Sequence, residues 1–356
     1  MASNLLAFVR NFNKPLEKFV IKNGWNFRLL QRKLKGKKFK KLTLEEKREV
    51  RSYWRRFGRK VSPAWAAYYS AVSGNFDPRY IPESLYYSEI VQRLGDIPLT
   101  ALNYKNVQDQ VFSSKQPKTI LHKSKALLTD AQHRPLDLEE AVAACKAEGQ
   151  VIIKPSGGSY GSKGIVFWSH DDDEKTLRDI LQSDGSLIIQ AILKPHHFFS
   201  DIHPDSLNTL RLVTLIIDRE VVLLSSILRM GSGANRVDNT SAGGILAVVE
   251  QDGSLREGAI QINQKILSQH PDGFVFKEQK IPHFDRILED VRTQCWRVPG
   301  FRLVFWDYVV DPAGDPVLIE ANFPTGQIES HQFNNGPLFG DYSDKVLDFV
   351  YNDKPL

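Results

Sequence analysis

The segments FRLVFWDYVV (301–310) and PVLIEANF (316–323), joined by DPAGD (311–315), read as two β-strands about a turn. If Val310 faces Val317 across that turn, Asp307 lies directly opposite Glu320. Side chains alternate along a strand, so Asn322 shares their face. Two opposed carboxylates repel by a few tenths to about 1 kcal/mol, and a cation between them would relieve this. With oxygen donors only and no Cys or His nearby, the expected ion is hard, Mg²⁺ before Ca²⁺, its shell completed by water and phosphate oxygens. The competing reading, a solvent-facing acidic edge, is disfavoured by the apolar neighbours Leu303, Phe305, Val309 and Leu318.

Working outward, further strand patterns precede this hairpin: VIIKP, GIVFW, SLIIQAIL, TLRLVTLII, EVVLLSSILRM and GILAVVE. Connections as short as Asp218-Arg219-Glu220 suit antiparallel hairpins, whereas parallel crossovers need a dozen residues or more. KTILHKSKALLTD reads as β, and Asp137 with Glu140 marks the capped start of a helix that Gly149 ends. The expected class is α+β.

Lys154 opens a glycine-rich loop, KPSGGSYGSKG (154–164), between two strands. Glycines there let backbone N–H groups close on an anion, so a phosphate cradle is the natural reading. A strand follows the loop where Walker and dinucleotide fingerprints require a helix. The embedded Gly157-x-Ser159-x-Gly161 imitates a hydrolase nucleophile elbow, but that also needs a following helix. A purely structural hairpin is the plainer alternative. Arg211 and Arg229 sit on strands among aliphatic residues and must find acidic partners or an anionic ligand; Asp307 or Glu320 could serve as the partner. Parity alone does not fix whether the two share a face. His196, His197 and His203 lack a matched ligand set and read as surface or core histidines.

The chain of 356 residues is 42% hydrophobic, ample for a core, and carries a net charge of +5. The basicity is local: residues 28–60 hold fifteen Lys/Arg against three Glu. There Thr43 with Glu46 forms a capping-box signature, and Val50, Trp54 and Phe57 fall at helical spacing. A cationic outer face would suit an anionic polysaccharide or membrane surface; the plainer reading is a solvated helix packed by its aromatic side, and nucleic acid is not an expected partner. Cys145 and Cys295 cannot make a disulfide framework, so a reducing compartment is expected. No run approaches the roughly 18 apolar residues of a membrane span and the N-terminal uncharged stretch is short for a secretory leader, so a cytoplasmic location is expected, peripheral to the membrane's inner face if the basic region docks there.

Taken in chain order, SLNTLRLVT, LRMGSGANRVDNTSAGG, FWDYVVD and VLIEANFPTGQ resemble the ATP-grasp superfamily, and in wording the sugar-transfer associated ATP-grasp family, over roughly residues 80–345. That resemblance implies two α+β subdomains with largely antiparallel sheets clamping ATP, here 101–195 with the lid loop and 196–356 with the Mg²⁺ site, preceded by a helical basic region over 1–100. It implies that Lys105 and Lys154 neutralise nucleotide phosphates and that Ser156, Gly157, Gly158, Ser159, Gly161 and Lys163 belong to the closing loop. Gln190, with the backbone of Ala191 and Leu193, would meet the adenine. His197 stands near the ribose, where many relatives have a carboxylate. Asp307, Glu320 and Asn322 would hold Mg²⁺, and Arg211 and Arg229 would stabilise the transferred phosphate. The polar loops containing Asn208, Asn239, Gly243 and Gln327 are the expected substrate contacts. The implied activity is an ADP-forming carboxylate–amine ligase working through an acyl phosphate, with a sugar acid and an amine as the implied substrates. A phosphotransferase acting on a hydroxyl and a nucleotide-responsive polyanion-binding module are the alternatives.

Overall fold

The computed structural model describes residues 14–95, 101–157, 163–234, 238, 243–261, 264–323 and 326–356. Its N-terminal part is helical: α1 (Lys14–Leu34), α2 (Leu44–Arg55) and α3 (Ala64–Ser73), followed by a helical run over 83–94 with a π turn at Tyr86–Ile90. The Thr43/Glu46 capping box forms as its spacing requires, the Glu46 N–H donating to Thr43 Oγ1 at 3.1 Å and the Thr43 N–H to Glu46 Oε2 at 2.7 Å. Val50, Trp54 and Phe57 then turn inward and are buried. Several cations of the basic stretch are paired within the chain, among them Arg32 with Glu83, Arg56 with Asp344 and Arg59 with Glu89. α1 falls within the helical region expected over 1–100, although its own bounds carry no local signal in the sequence.

Next come α4 (Lys105–Val111) and a six-stranded sheet of order β3-β2-β1-β6-β4-β5. Its strands are β1 (Thr119–Ser124), β2 (Leu127–Asp130), β3 (Pro135–Leu136), β4 (Gln150–Pro155), β5 (Val166–Ser169) and β6 (Ser186–Ala191), with α5 (Leu138–Glu148) and α6 (Glu174–Gln182) between them. Every recorded pairing is antiparallel. The Asp137/Glu140 capping box starts α5, and Ala141, Val142 and Cys145 bury it on the sheet with Leu177 and Leu181 of α6.

After α7 (His197–Ser200), a seven-stranded sheet runs β11-β10-β9-β8-β7-β12-β13. It contains β7 (Thr209–Ile217), β8 (Glu220–Met230), β9 (Ile245–Val249), β10 (Leu255–Gln261), β11 (Ile266–Leu267), β12 (Leu303–Val310) and β13 (Pro316–Asn322). α8 (Phe284–Cys295), α9 (Glu329–Asn335) and α10 (Ser343–Asn352) complete the described elements. Asp218 and Arg219 both take positive φ, 51° and 62°, the backbone that lets a two-residue turn follow the twist of β7 and β8. Leu210, Leu212, Trp306 and Tyr308 point to one core. On the opposite face, Val213, Leu215, Leu303 and Phe305 are covered by the N-terminal helices. That cover stops short of Arg211 and Asp307, leaving a charged strip of the same face turned toward the six-stranded sheet. Among the described residues no helix is long and apolar enough to cross a membrane.

Candidate functional site

Four neighbouring strands place their charges in one row. Ile227 of β8 pairs with Arg211 of β7, Arg211 with Asp307 of β12, and Asp307 with Glu320 of β13. Arg229 pairs with Thr209, two residues along β7 from Arg211, so both arginines share the face, the point that parity alone leaves open. The hairpin reaches this arrangement differently from the expected register. Val310 pairs with Pro316, and Val309 with Val317, which by simple alternation would set Ile319 against Asp307. A β-bulge at Ile319 absorbs one residue and brings Glu320 opposite Asp307.

Asp307 is buried and takes a two-pronged bond from Arg211, Nε to Oδ1 at 2.7 Å and Nη2 to Oδ2 at 2.6 Å, with Arg229 Nη1 donating to Oδ2 at 3.1 Å. Burial works to raise the pKa of this carboxyl, but the two guanidiniums outweigh it and hold it below the usual carboxylate range. Arg229 also reaches Asp238 Oδ1 at 3.0 Å, and Asp238 accepts both the N–H and the hydroxyl of Thr209. Burial opposes the charge of Arg229, yet Asp238 and Asp307 keep it firmly protonated.

Lys105 opens α4 and donates to Glu320 Oε1 at 2.9 Å. Its helix is clamped to the edge strand β13 by Gln108, whose amide accepts from the Ala321 N–H at 2.8 Å and donates to the Ala321 and Leu102 carbonyls. Lys154, at the end of β4, donates to Gln190 Oε1 at 3.0 Å; Gln190 faces Ile152 across β4 and β6 and so stands diagonal to it. The side chain of Gln190 is thus turned to the lysine and to the Pro117 carbonyl at 3.5 Å. Burial first, and then the charge of Lys105, draw the Lys154 pKa down to about 8 against the pull of Glu320. Ser156 is buried; its carbonyl accepts from the Lys105 N–H at 2.8 Å and its hydroxyl donates to Asn106, so it fastens the glycine loop to α4. A Cβ at Gly157 would meet the Tyr104 ring at 2.5 Å, which accounts for glycine there.

Six of these charged groups line one end of a cleft of about 390 Å³ between the two sheets, whereas Arg211, Gln190 and Ser156 stand behind its wall-forming residues. Lys105, Lys154, Arg229, Asp238, Asp307 and Glu320 make its ionic end; Ile152, Phe167, Leu193, Leu207 and Ile319 make an apolar slot. Counting Arg211, four cations face three carboxylates at that end, and Asp205 further along the wall brings the cleft's charges into balance. Leu193 and Ala191 line the slot, but the Ala191 N–H is already given to the Lys118 carbonyl at 2.9 Å. A flat ligand would therefore meet backbone of Ile192 and Leu193 rather than that N–H. His197 is exposed, lies tilted against His196 with centroids 4.1 Å apart, and is not among the cleft-lining residues. Asp205 lines the cleft instead and supplies a carboxylate on its wall.

The donors at Asp307, Glu320 and Asn322 fit a hard divalent ion that arrives with a phosphate. Asp307 Oδ1 accepts one bond here and retains a lone pair. The amide nitrogen of Asn322 is buried without a partner, and Asn322, unlike Asp307 and Glu320, is not among the cleft-lining residues. Among the described residues no cluster of three or more His, Cys, Asp and Glu could hold an ion alone. An ion here would thus need further oxygens from a ligand or water.

Other expected contacts fall elsewhere. Asn208 is fully buried and spent on the fold: its amide nitrogen donates to the carbonyls of Phe199, His203 and Ser206, and its oxygen accepts from the Gly231 N–H at 2.9 Å and from Ser206. It shapes the loop rather than presenting a polar group to a substrate. The Gly243 carbonyl accepts from Ser232 Oγ at 2.9 Å. Gln327 and Lys163 are exposed and lie outside the cleft lining. Gly158, Ser159, Gly161 and Asn239 lie outside the described residues. Asp205, Gln108 and Asp238 escape sequence reasoning: the first reaches the cleft only through the turn after α7, and the other two act through tertiary hydrogen bonds.

The family model described as sugar-transfer associated ATP-grasp matches residues 102–341, leaving 80–101 and 342–345 outside. Among curated proteins, none matches the chain. Solved structures that resemble it include the ATP-grasp ligase PsnB complexed with precursor peptide PsnA2 and AMPPNP, at 13% identity over 72% of this chain and 62% of that one, with TM-score 0.40. An L-amino acid ligase from Bacillus licheniformis matches at 15% identity over 72% and 48% of the two chains, TM-score 0.42. D-alanyl-alanine synthetase A from Vibrio cholerae O1 biovar eltor str. N16961 matches at 11% identity over 71% and 66%, TM-score 0.42. The matched part of this chain spans between about half and two thirds of each of these structures.

Proposed function

The chain belongs to the sugar-transfer associated ATP-grasp family, and from that premise we propose that it is an ATP-dependent carboxylate–amine ligase. The observation that carries the reading is the ionic row Arg229, Arg211, Asp307 and Glu320 facing Lys105 and Lys154 at the end of an apolar slot. A nucleotide base fits the slot and its phosphates fit the cations. In this reading Lys105, Lys154 and Arg229 bind the phosphates, and Arg211 positions Asp307. Backbone beyond β6 meets the base, and Asp205 accepts from the ribose hydroxyls.

Mg²⁺, held by Asp307, Glu320 and Asn322, would neutralise charge on the transferring oxygens. A substrate carboxylate oxygen attacks the γ-phosphorus as the bond to the β–γ bridging oxygen breaks, giving ADP and an acyl phosphate. An amine then attacks the acyl carbon; phosphate leaves, the amine sheds a proton, and an amide remains. Water would destroy the acyl phosphate, so this reading requires the cleft to close over the bound substrate. We assign the acid to a sugar acid and the amine to an amino acid or amine used in surface polysaccharide synthesis, in the cytoplasm. The test is a screen of acid and amine pairs for ADP release with mass spectrometry of the product. An amide with free phosphate supports the ligase; a phosphorylated product with no phosphate release replaces it with a phosphotransferase.

A further inference from the structure

α1 carries its apolar residues on the wrong side for a helix that only packs on its own protein. Leu29 is buried, and Trp25 stacks on Tyr87 at 4.5 Å against the helical run over 83–94. Yet Leu16, Phe19, Val20, Phe27, Leu30 and Leu34 are all at least half exposed. At the helical repeat they fall within an arc of roughly 100° opposite Trp25, a stripe about five turns long interrupted by Asn23. Scattered exposed leucines need no explanation, but an aligned stripe of six does.

The surroundings of the stripe select its occupant. Residues 14–41 hold eleven Lys/Arg and a single acidic residue, Glu17. Lys33 is exposed beside the stripe and Lys35 just past its end, whereas Arg28 stacks over Trp25 at 4.5 Å on the other side of the helix. A second copy of this chain would bring the same cationic border against itself, which repels. A soluble polyanion would satisfy the cations and leave the apolar stripe wet. An anionic lipid surface satisfies both, since phenylalanine and leucine enter the acyl boundary while lysine and arginine stay at the head groups. α1 does not qualify as a membrane span, so the helix lies along the interface.

We propose that α1 docks the protein in-plane on an anionic membrane through this stripe. The inference is independent of the ligase reading, and its test does not use turnover. The full chain is sedimented with vesicles of phosphatidylcholine alone and of phosphatidylcholine with about one third phosphatidylglycerol, across a salt series. Wild type should sediment with the anionic vesicles, less so as salt rises. The double variant Phe27→Asp, Leu30→Asp should lose at least tenfold in partitioning, on the order of the effect of burying one such side chain. Both positions are exposed, and an unchanged thermal transition confirms the fold of the variant. Absence of anionic-vesicle binding by wild type overturns the proposal, as does retention of wild-type binding by the double variant. Self-association through the stripe in place of lipid binding, read by analytical ultracentrifugation, also overturns it.

Discussion

Lys154 provides a prediction in which affinity and stability move in opposite directions with pH. Its pKa in the folded, nucleotide-free protein lies near 8, below the ordinary lysine value of 10.5. If only the protonated amine grips phosphate, a site of pKa 8 is about 90% charged at pH 7 and about 10% charged at pH 9. ATP affinity should therefore weaken about tenfold over that interval, equivalent to about 1.4 kcal/mol. The effect on folding has the opposite sign. Below pH 8 the folded and unfolded chains both carry the proton, and the cost of burying the charge is borne in full. Between about 8 and 10.5 the folded chain has shed the proton while the unfolded chain keeps it, so this group's contribution to stability improves as pH rises through that window. Isothermal titration with a non-hydrolysable ATP analogue at constant ionic strength measures the first effect. Lys154→Arg, whose guanidinium does not titrate, should flatten the profile. A wild-type affinity that does not change between pH 7 and 9 refutes the reasoning, and a Lys154→Arg variant that binds with the wild-type slope shows that another group is responsible.

Asp307→Asn removes the carboxylate partner of the largely buried Arg211 and one of the two partners of Arg229, and should cost about 3 kcal/mol of stability in chemical denaturation, whereas Glu320→Gln, at a partly exposed pair with Lys105, should cost less than about 1 kcal/mol. On the ligase reading Glu320→Gln should nonetheless lower ATP turnover at least a hundredfold; near-normal turnover removes Glu320 from the machinery. Chelation of divalent ions should weaken ATP binding at least tenfold in the same titration, and addition of Mg²⁺ should restore it. A Cβ at Gly326 would overlap the Phe305 ring, so Gly326→Ala should destabilise by about 1–3 kcal/mol and lower the melting temperature.

Much of the framework is legible along the chain because it rests on local rules. Both capping boxes, most of the longer strands and the pairing of Asp307 with Glu320 follow from spacing and alternation. The pairing shows the limit of that reasoning, since the expected turn register differs by one residue and a bulge at Ile319 restores the predicted partner. Helices α6 and α8 carried readable signals, an Asp173 cap and an apolar repeat at Phe284, Ile287, Val291 and Cys295, that strand patterns on either side overshadow. α1 contains Pro15 and Gly24 and hides its start, so only the fold reveals its stripe. Asn208 reads as a substrate contact because it is polar beside Arg211, yet five hydrogen bonds consume it, three donated to the carbonyls of Phe199, His203 and Ser206 and two accepted from Ser206 Oγ and the Gly231 N–H. The slot depends on how β6 leaves its sheet and on the turn after α7, neither of which has a local signature.

The claim on which the rest depends is that Asp307 and Glu320 hold a divalent ion against a nucleotide's phosphates. Anomalous diffraction from crystals grown with Mn²⁺ and a non-hydrolysable ATP analogue measures this directly. The account predicts a manganese peak within coordinating distance of both carboxylates, with the terminal phosphate beside Arg229 and Lys105 and the base in the slot lined by Leu193. A peak away from this hairpin, or a nucleotide seated elsewhere, contradicts it.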